Sequence, residues 1–141
     1  MYHPRAQLRS EIKALIEAAL PGVPVLDSAI SDIDSSPVTI LIRSVGETVE
    51  RAPGSGQRPG TPLVRRMQTE VIVVSIYDGD GPEAQLQADD HARQVELAMN
   101  MPFDPGLDLV AIDIAQDDGE KTVVQISMLY ETTLTDVMER T

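Results

Sequence analysis

The segment from Leu63 to Tyr77 constrains the fold more than any other part of this chain. Its sequence, LVRRMQTEVIVVSIY, is rich in β-branched residues and is typical of one long strand. The second half, Val71 to Ile76, is almost wholly apolar, and we predict that it lies in the core. The first half contains Arg65 and Arg66 and is predicted to project into solvent or toward a partner protein.

Two helices are predicted from apolar residues that recur at intervals of three or four positions. The apolar stripe of the first helix consists of Leu8, Ile12, Leu15, Ile16 and Ala19. The stripe of the second helix consists of Ala84, Ala88, Ala92, Val95 and Met99. The first helix is predicted to end at Leu20-Pro21-Gly22, and the second to begin after Asp80, which forms a capping-box pattern with Glu83. The small side chains of the second stripe favour close packing against a sheet.

Three further strand segments complete the pattern. Pro37 to Val45 (PVTILIRSV) is apolar and β-branched, and Gly46 to Arg51 is predicted to extend this strand past a bulge. Leu107 to Ala115 and Thr122 to Leu134 are predicted to form a hairpin around a type I′ turn at Asp118-Gly119.

The order of these elements is helix, strand, strand, helix, strand, strand, and residues 23–36 are expected to be irregular or to form a short strand. This order predicts an α+β domain with a mixed or antiparallel sheet of four to five strands and two main helices packed on it. At 141 residues, the chain is long enough for one such domain, which we place at residues 1–141.

The stretch from Ala52 to Pro62 lies between two predicted strands, the one that begins at Pro37 and the one that begins at Leu63. Six of its eleven residues are glycine or proline, a composition that does not sustain a helix or a strand. We therefore predict a mobile loop over residues 52–62. Its centre consists of Gly54, Ser55, Gly56, Gln57 and Arg58.

Charge and composition exclude several classes of protein. The net charge is −12, from 23 acidic and 11 basic residues, so high-affinity binding to nucleic acid is not expected, because it requires a surplus of Lys and Arg. The absence of cysteine excludes disulfides, thiolate catalysis and zinc–thiolate sites. No apolar run approaches the ~20 residues of a membrane span, so no membrane association is expected.

No catalytic residue, metal site or cofactor is predicted. His3 falls in a terminus that is predicted to fray, and His91 follows Asp89 and Asp90, whose adjacent side chains point apart on a helix. Asp78 and Asp80 resemble a fragment of a calcium loop without its other ligands, and Gly54-Ser55-Gly56 lacks the residues of a phosphate-binding loop. We therefore expect that the protein is not an enzyme, although a site assembled from residues distant in sequence stays open.

The element order, the length and several local strings resemble the tail terminator proteins of long-tailed bacteriophages, the minor tail protein U family. The resemblance includes a polar lead into the first helix and a strand entered through Pro37. It also includes the long strand at Thr69 to Tyr77 and the Asp117-Asp118 pair before a closing strand at Val123 to Thr132.

The resemblance implies a structural protein of a phage or prophage tail, with no cofactor. Such a protein forms a ring, expected to be a hexamer, which caps the tail tube, ends its polymerisation and offers a surface for joining the head. Its partners would be other copies of itself, the tail tube protein and a head-completion or connector protein. It would be found in the virion tail, and in the host bacterial cytoplasm during assembly. A neck or head–tail completion protein and a small-molecule-binding regulatory domain are the alternatives.

Arg65 and Arg66 are the predicted subunit contacts. Adjacent residues of a strand point to opposite faces, and no hydrophobic neighbour in the sequence indicates that either side chain is buried. Bringing six copies of a chain of charge −12 together costs electrostatic repulsion, which cations at the contacts would reduce. We therefore predict that at least one of the two meets an acidic surface of the next subunit; the alternative is two solvated arginines near a strand end.

Overall fold

The computed structural model describes residues 3–26, 37–51, 62–77, 81–100, 106–119 and 121–136. Its elements are helix α1 (Pro4–Ala19), strands β1 (Val25–Leu26), β2 (Val38–Arg51) and β3 (Leu63–Tyr77), helix α2 (Gly81–Met99), and strands β4 (Asp108–Asp118) and β5 (Thr122–Asp136). The five strands form one sheet in the order β1-β2-β3-β5-β4. Strand β1 pairs with β2 in parallel, and the other pairs are antiparallel.

The predicted α+β class and element order are confirmed. The fifth strand is the two-residue β1, which lies in the region predicted to be irregular or a short strand. Among the described residues, no helix is long and apolar enough to cross a membrane.

Both helices pack on one face of the sheet and enclose the main core. This core includes Leu8, Ile12 and Ile16 of α1, Ala84, Ala88 and Val95 of α2, and Ile40, Ile42, Val71, Val73, Val124, Ile126 and Met128 of the sheet. Burial of each large aliphatic side chain stabilises the fold by about 1.5–3 kcal/mol. Ala84 and Ala88 are fully buried, which confirms that small side chains let α2 approach the sheet closely. Leu15 and Ala19 of the predicted α1 stripe lie at its rim, half-buried and exposed respectively.

The start of α1 differs from the sequence prediction. His3 was expected in a frayed terminus, but it is the N-cap residue, and its Nδ1 accepts a hydrogen bond from the backbone N–H of Arg5 at 3.1 Å. An N-cap side chain satisfies one of the donors that a helix leaves free in its first turn. At the other end, Gly22 has φ +88°, a conformation that glycine adopts without a steric cost.

The bulge predicted in β2 is confirmed at Val45, where the register with β3 shifts between Ser44 and Gly46. Because one extra residue reverses the alternation of faces, Glu47 lies opposite Met67 on the helix-covered side of the sheet. The bulge thereby places a carboxylate beside the N-terminal end of α1.

Strand β3 has the predicted bounds, but its polar half does not project from the sheet. All of β3, from Leu63 to Tyr77, is paired with β5. Its first half is also paired with β2 on the other side, beginning with Leu63 opposite Arg51. A strand that is hydrogen-bonded along both edges has no free backbone to offer a partner. The prediction that this half projects into solvent or toward a partner is therefore wrong for its backbone.

The β4–β5 hairpin is confirmed, but the predicted type I′ turn is wrong. Asp118 pairs with Thr122, so the connection has three residues and Asp118 belongs to the strand. In the described part of the chain only Gly22 has a positive φ, whereas a type I′ turn needs positive φ at both central residues. The predicted mobile loop, with Gly54, Ser55, Gly56, Gln57 and Arg58, lies outside the described residues except for Pro62.

Candidate assembly surfaces

Arg65 lies on the helix-covered side of the sheet, inside a cluster of charged side chains from four elements. Its Nε donates to Asp136 Oδ2 at 2.7 Å, and its Nη1 lies 3.4 Å from Glu47 Oε1. Glu47 also forms an ion pair with Arg5 of α1. The hydrogen bond to Asp136 raises the pKa of Arg65, and the charge of Glu47 adds to this, against the lowering effect of burial.

The cluster joins the N-terminal end of α1 to β2, β3 and β5. The side chain of Arg65 is only 11% exposed, and that of Glu47 is 10% exposed. No hydrophobic neighbour in the sequence predicts burial of Arg65; in the structure its side chain is covered by ion pairing instead. Its charge is therefore neutralised within its own chain.

Arg66 lies on the opposite face of the sheet. Its side chain is 60% exposed, and its Nε lies 3.7 Å from Glu131 Oε1. The predicted opposite orientation of the two arginines is confirmed. On the same face, Arg43 pairs with Glu70 at 2.7 Å. Arg66 is therefore the member of the pair whose charge is accessible to another molecule, and its role at a subunit contact stays a prediction.

The edge strand β4 is the surface that sequence reasoning missed. All eleven of its residues are exposed, although four of them are large and apolar. These four are Leu109, Val110, Ile112 and Ile114, with exposed fractions of 41, 51, 45 and 59%. A signal for this exposure is present in the sequence. Aspartates interrupt the apolar run of β4, whereas a strand that is buried on both faces is almost continuously apolar.

The apolar surface of β4 continues onto α2. A groove of about 300 Å³ lies between them. Its lining includes the apolar residues Leu97, Met99, Leu107 and Leu109, together with Tyr130 and the polar residues Arg93, Glu96 and Asn100. Leu97 is 56% exposed, and it also lines a second groove of about 460 Å³ between the ends of α1 and α2. Leu97 thus lies between two adjacent grooves on the helix-bearing side of the molecule, the first lined by both polar and apolar residues and the second mainly by apolar ones.

Tyr130 lies at the floor of the first groove, and the environment of its phenol changes its acid–base behaviour. Burial raises the pKa of its phenol to about 12, and the charge of Glu96 adds to the shift. An unfolded tyrosine titrates near pH ~10. The folded state therefore disfavours the phenolate. The contribution of the protonated Tyr130 to the free energy of unfolding is complete below pH ~10 and is lost as the pH rises toward ~12.

We expect the free energy of unfolding of the wild type to fall by about 2 kcal/mol more than that of Tyr130→Phe between pH ~9 and ~12. Urea denaturation at a series of pH values measures this difference. Phenylalanine preserves the buried ring, which isolates the effect of the hydroxyl. Parallel pH profiles for the two proteins would contradict the assignment.

The two histidines have structural contacts. His91 Nδ1 lies 2.7 Å from the carbonyl oxygen of Gln87, one turn earlier on α2, and His3 caps α1. No group of three or more His, Asp or Glu side chains that could hold a metal ion occurs among the residues that the structure describes. Asp78 and Asp80 lie outside them. The prediction of no metal and no catalytic residue stays a prediction.

The geometry thus defines an open-sheet α+β domain with exposed aliphatic residues on its edge strand and two grooves beside α2. No protein-family model and no curated protein matches the chain. Among solved structures, the fold is similar to a chain described as the virion of a native gene transfer agent particle. The TM-score is 0.54 at 13% sequence identity, and the match covers 96% of this chain and 100% of the other. At this identity the likeness establishes the fold.

Proposed function

We propose that this chain is a structural protein of a phage or prophage particle rather than an enzyme. The observation that supports this most strongly is the likeness of its whole fold to a chain of a virion-like particle, with 96 and 100% of the two chains covered. The large apolar side chains exposed on β4 and α2 support the same role, because contiguous exposed apolar surface is typical of protein–protein contacts.

Within that class we propose that the chain is a tail terminator. Several copies, six by analogy with the family that the sequence resembles, would form a ring on the end of the tail tube. The ring would stop tube polymerisation and offer the head a joining surface. A ring built from chains of charge −12 would repel DNA phosphates, which would let DNA pass without binding.

A neck or head–tail completion protein is the second candidate. The similar structure is described as a whole virion, and that description supports a neck position as well as a tail position. The two roles differ in one consequence. A terminator binds the growing end of the tube, whereas a neck protein binds only after the tube is capped.

Tail tube protein polymerised in vitro in the presence and absence of this chain tests the proposal. We expect added chain to shorten the tubes in proportion to its concentration and to appear as a ring at one end in negative-stain electron micrographs. Tubes of unchanged length without end density would contradict the terminator role. Density only on tubes that are already capped would assign the chain to the neck.

A further inference from the structure

Strand β4 lies at one edge of the sheet that the described residues form. It is the last strand in the order β1-β2-β3-β5-β4, and no other described strand pairs with its outer side. The backbone N–H and C=O groups along that side can therefore accept another strand. Natural proteins usually protect such an edge with charged side chains, proline, a β-bulge or a covering element. Strand β4, DLVAIDIAQDD, has a register shift at Val110 and four aspartates, but no lysine or proline. Because like charges across a strand pair are destabilising and opposite charges are stabilising, the aspartates disfavour acidic strands and leave the edge open to strands that carry cations.

The two faces of β4 have different chemistry. On the helix-bearing side, Leu109, Ile112 and Ile114 lie opposite Tyr130, Met128 and Ile126 of the core. They extend the apolar surface of the sheet beyond the helices as far as the groove beside Leu97. An added strand would therefore have to place aliphatic side chains on this side to exclude water.

The opposite face of β4 is acidic. Asp108, Asp113 and Asp117 lie opposite Glu131, Ser127 and Val123 of β5, which places them on the side away from the helices. Strand β4 carries no Lys or Arg. Because opposite charges across a strand pair stabilise it and like charges destabilise it, the complementary strand carries Lys or Arg on this side.

A second copy of the chain does not fit these requirements. Antiparallel pairing of β4 with β4 would bring two rows of aspartates together. The other side of the sheet offers β2, whose charged residues Arg43, Glu47, Glu50 and Arg51 cancel formally. Neither face of β2 has a surplus of cations, because Glu47 offsets Arg51 on one face and Glu50 offsets Arg43 on the other. Arg65 gives β3 such a surplus on one face, but β3 is an interior strand with no free edge.

We propose that β4 is the docking edge for an extended segment of a different protein, in which aliphatic residues alternate with Lys or Arg. The segment adds to the sheet as a sixth strand of about six to eight residues. Its aliphatic side chains extend the apolar side toward the groove between β4 and α2, and its cations face the three aspartates. This inference concerns strand pairing alone and does not depend on the terminator role.

Synthetic peptides test the inference on the full chain. The probe is a nine-residue capped peptide that alternates Val and Lys, with two controls: a Val/Glu peptide, and a Val/Lys peptide with proline at two central positions. We expect saturable binding of the Val/Lys peptide by fluorescence anisotropy, weakened by salt. We expect at least tenfold weaker binding of both controls, because one has the wrong charge and the other lacks backbone donors.

Matched variants locate the binding. Asp113→Lys combined with Asp117→Lys is expected to weaken binding of the Val/Lys peptide at least tenfold and to permit binding of the Val/Glu peptide. Asp89→Lys combined with Asp90→Lys makes the same change in net charge on exposed residues of α2 and is expected to change binding less than twofold. All four positions are exposed, so the variants should retain the wild-type Tm.

Three outcomes would overturn the proposal. Equal binding of the proline-containing peptide would show that no strand is added. Equal weakening by the α2 variant would show general charge attraction without a site on β4. The third outcome is that the protein alone sediments as an oligomer and that Ile114→Lys converts this oligomer to a monomer. That result would assign the edge of β4 to a second copy of the chain.

Discussion

Replacing Ile12 by alanine is expected to lower the free energy of unfolding by about 3–4 kcal/mol, the middle of the range of about 2–5 kcal/mol for a buried aliphatic truncated to alanine in a close-packed core. Ile12 is 0% exposed and belongs to the core cluster that joins α1 to both the sheet and α2. Its removal leaves a cavity where three elements meet, which the surrounding rigid strands cannot close. For a chain of 141 residues the loss corresponds to a fall in Tm of about 10 °C.

Leu97→Ala is the matched control. Leu97 is also a helical aliphatic residue, but 56% of it is exposed, so we expect a loss below about 0.5 kcal/mol. Urea denaturation monitored by circular dichroism measures both variants. Equal losses would mean that Leu97 is part of the core and that the grooves around it are closed in solution. An Ile12 variant as stable as the wild type would contradict the packing of α1.

Arg65→Leu is expected to lower the free energy of unfolding by about 2 kcal/mol, because it leaves carboxylates without their cation in a partly solvated cluster. Asp136 loses its 2.7 Å partner, whereas Glu47 retains Arg5. Combining Arg65→Leu with Asp136→Asn should cost less than the sum of the two single changes, because they remove the same interaction. Additive losses would contradict the pairing.

Arg66→Glu makes the corresponding test for the arginine on the opposite face of the sheet. Its side chain is 60% exposed, and exposed ion pairs contribute only ~0–1 kcal/mol, so the monomer should remain folded. If Arg66 meets an acidic surface of the next subunit, the reversal should abolish rings in electron micrographs. Rings at the wild-type concentration would contradict the contact. Reversing both arginines would not test it, because loss of Arg65 destabilises the fold.

The strands and helices could be predicted because each has a strong local pattern. The aliphatic stripes of α1 and α2 and the β-branched run of β3 specify the period of the element and the side that is buried. The bulge at Val45 was also predictable, from the glycine that follows an apolar strand. The turn after Asp118 was not, because the register between β4 and β5 depends on packing across the sheet rather than on the Asp-Gly pair.

The surfaces were harder to predict because exposure depends on the order of the strands. The sequence did not indicate that β4, the third of the four long strands and the hairpin partner of β5, would lie at the edge of the sheet. Arg65 and Arg66 are adjacent and chemically identical, yet one is covered by Glu47 and Asp136, which are distant in sequence. The register of β3 with β2 and β5 decides which arginine is covered and which is exposed.

The length of tails made in the absence of this chain tests the central claim most directly. Particles produced from a genome in which the gene is deleted can be imaged by electron microscopy, with wild-type protein supplied from a plasmid as the control. A terminator that ends tube polymerisation predicts tubes longer than normal, without attached heads, and restoration of normal length by the plasmid. Tails of normal length that remain unjoined to heads would contradict the terminator role and assign the chain to the neck.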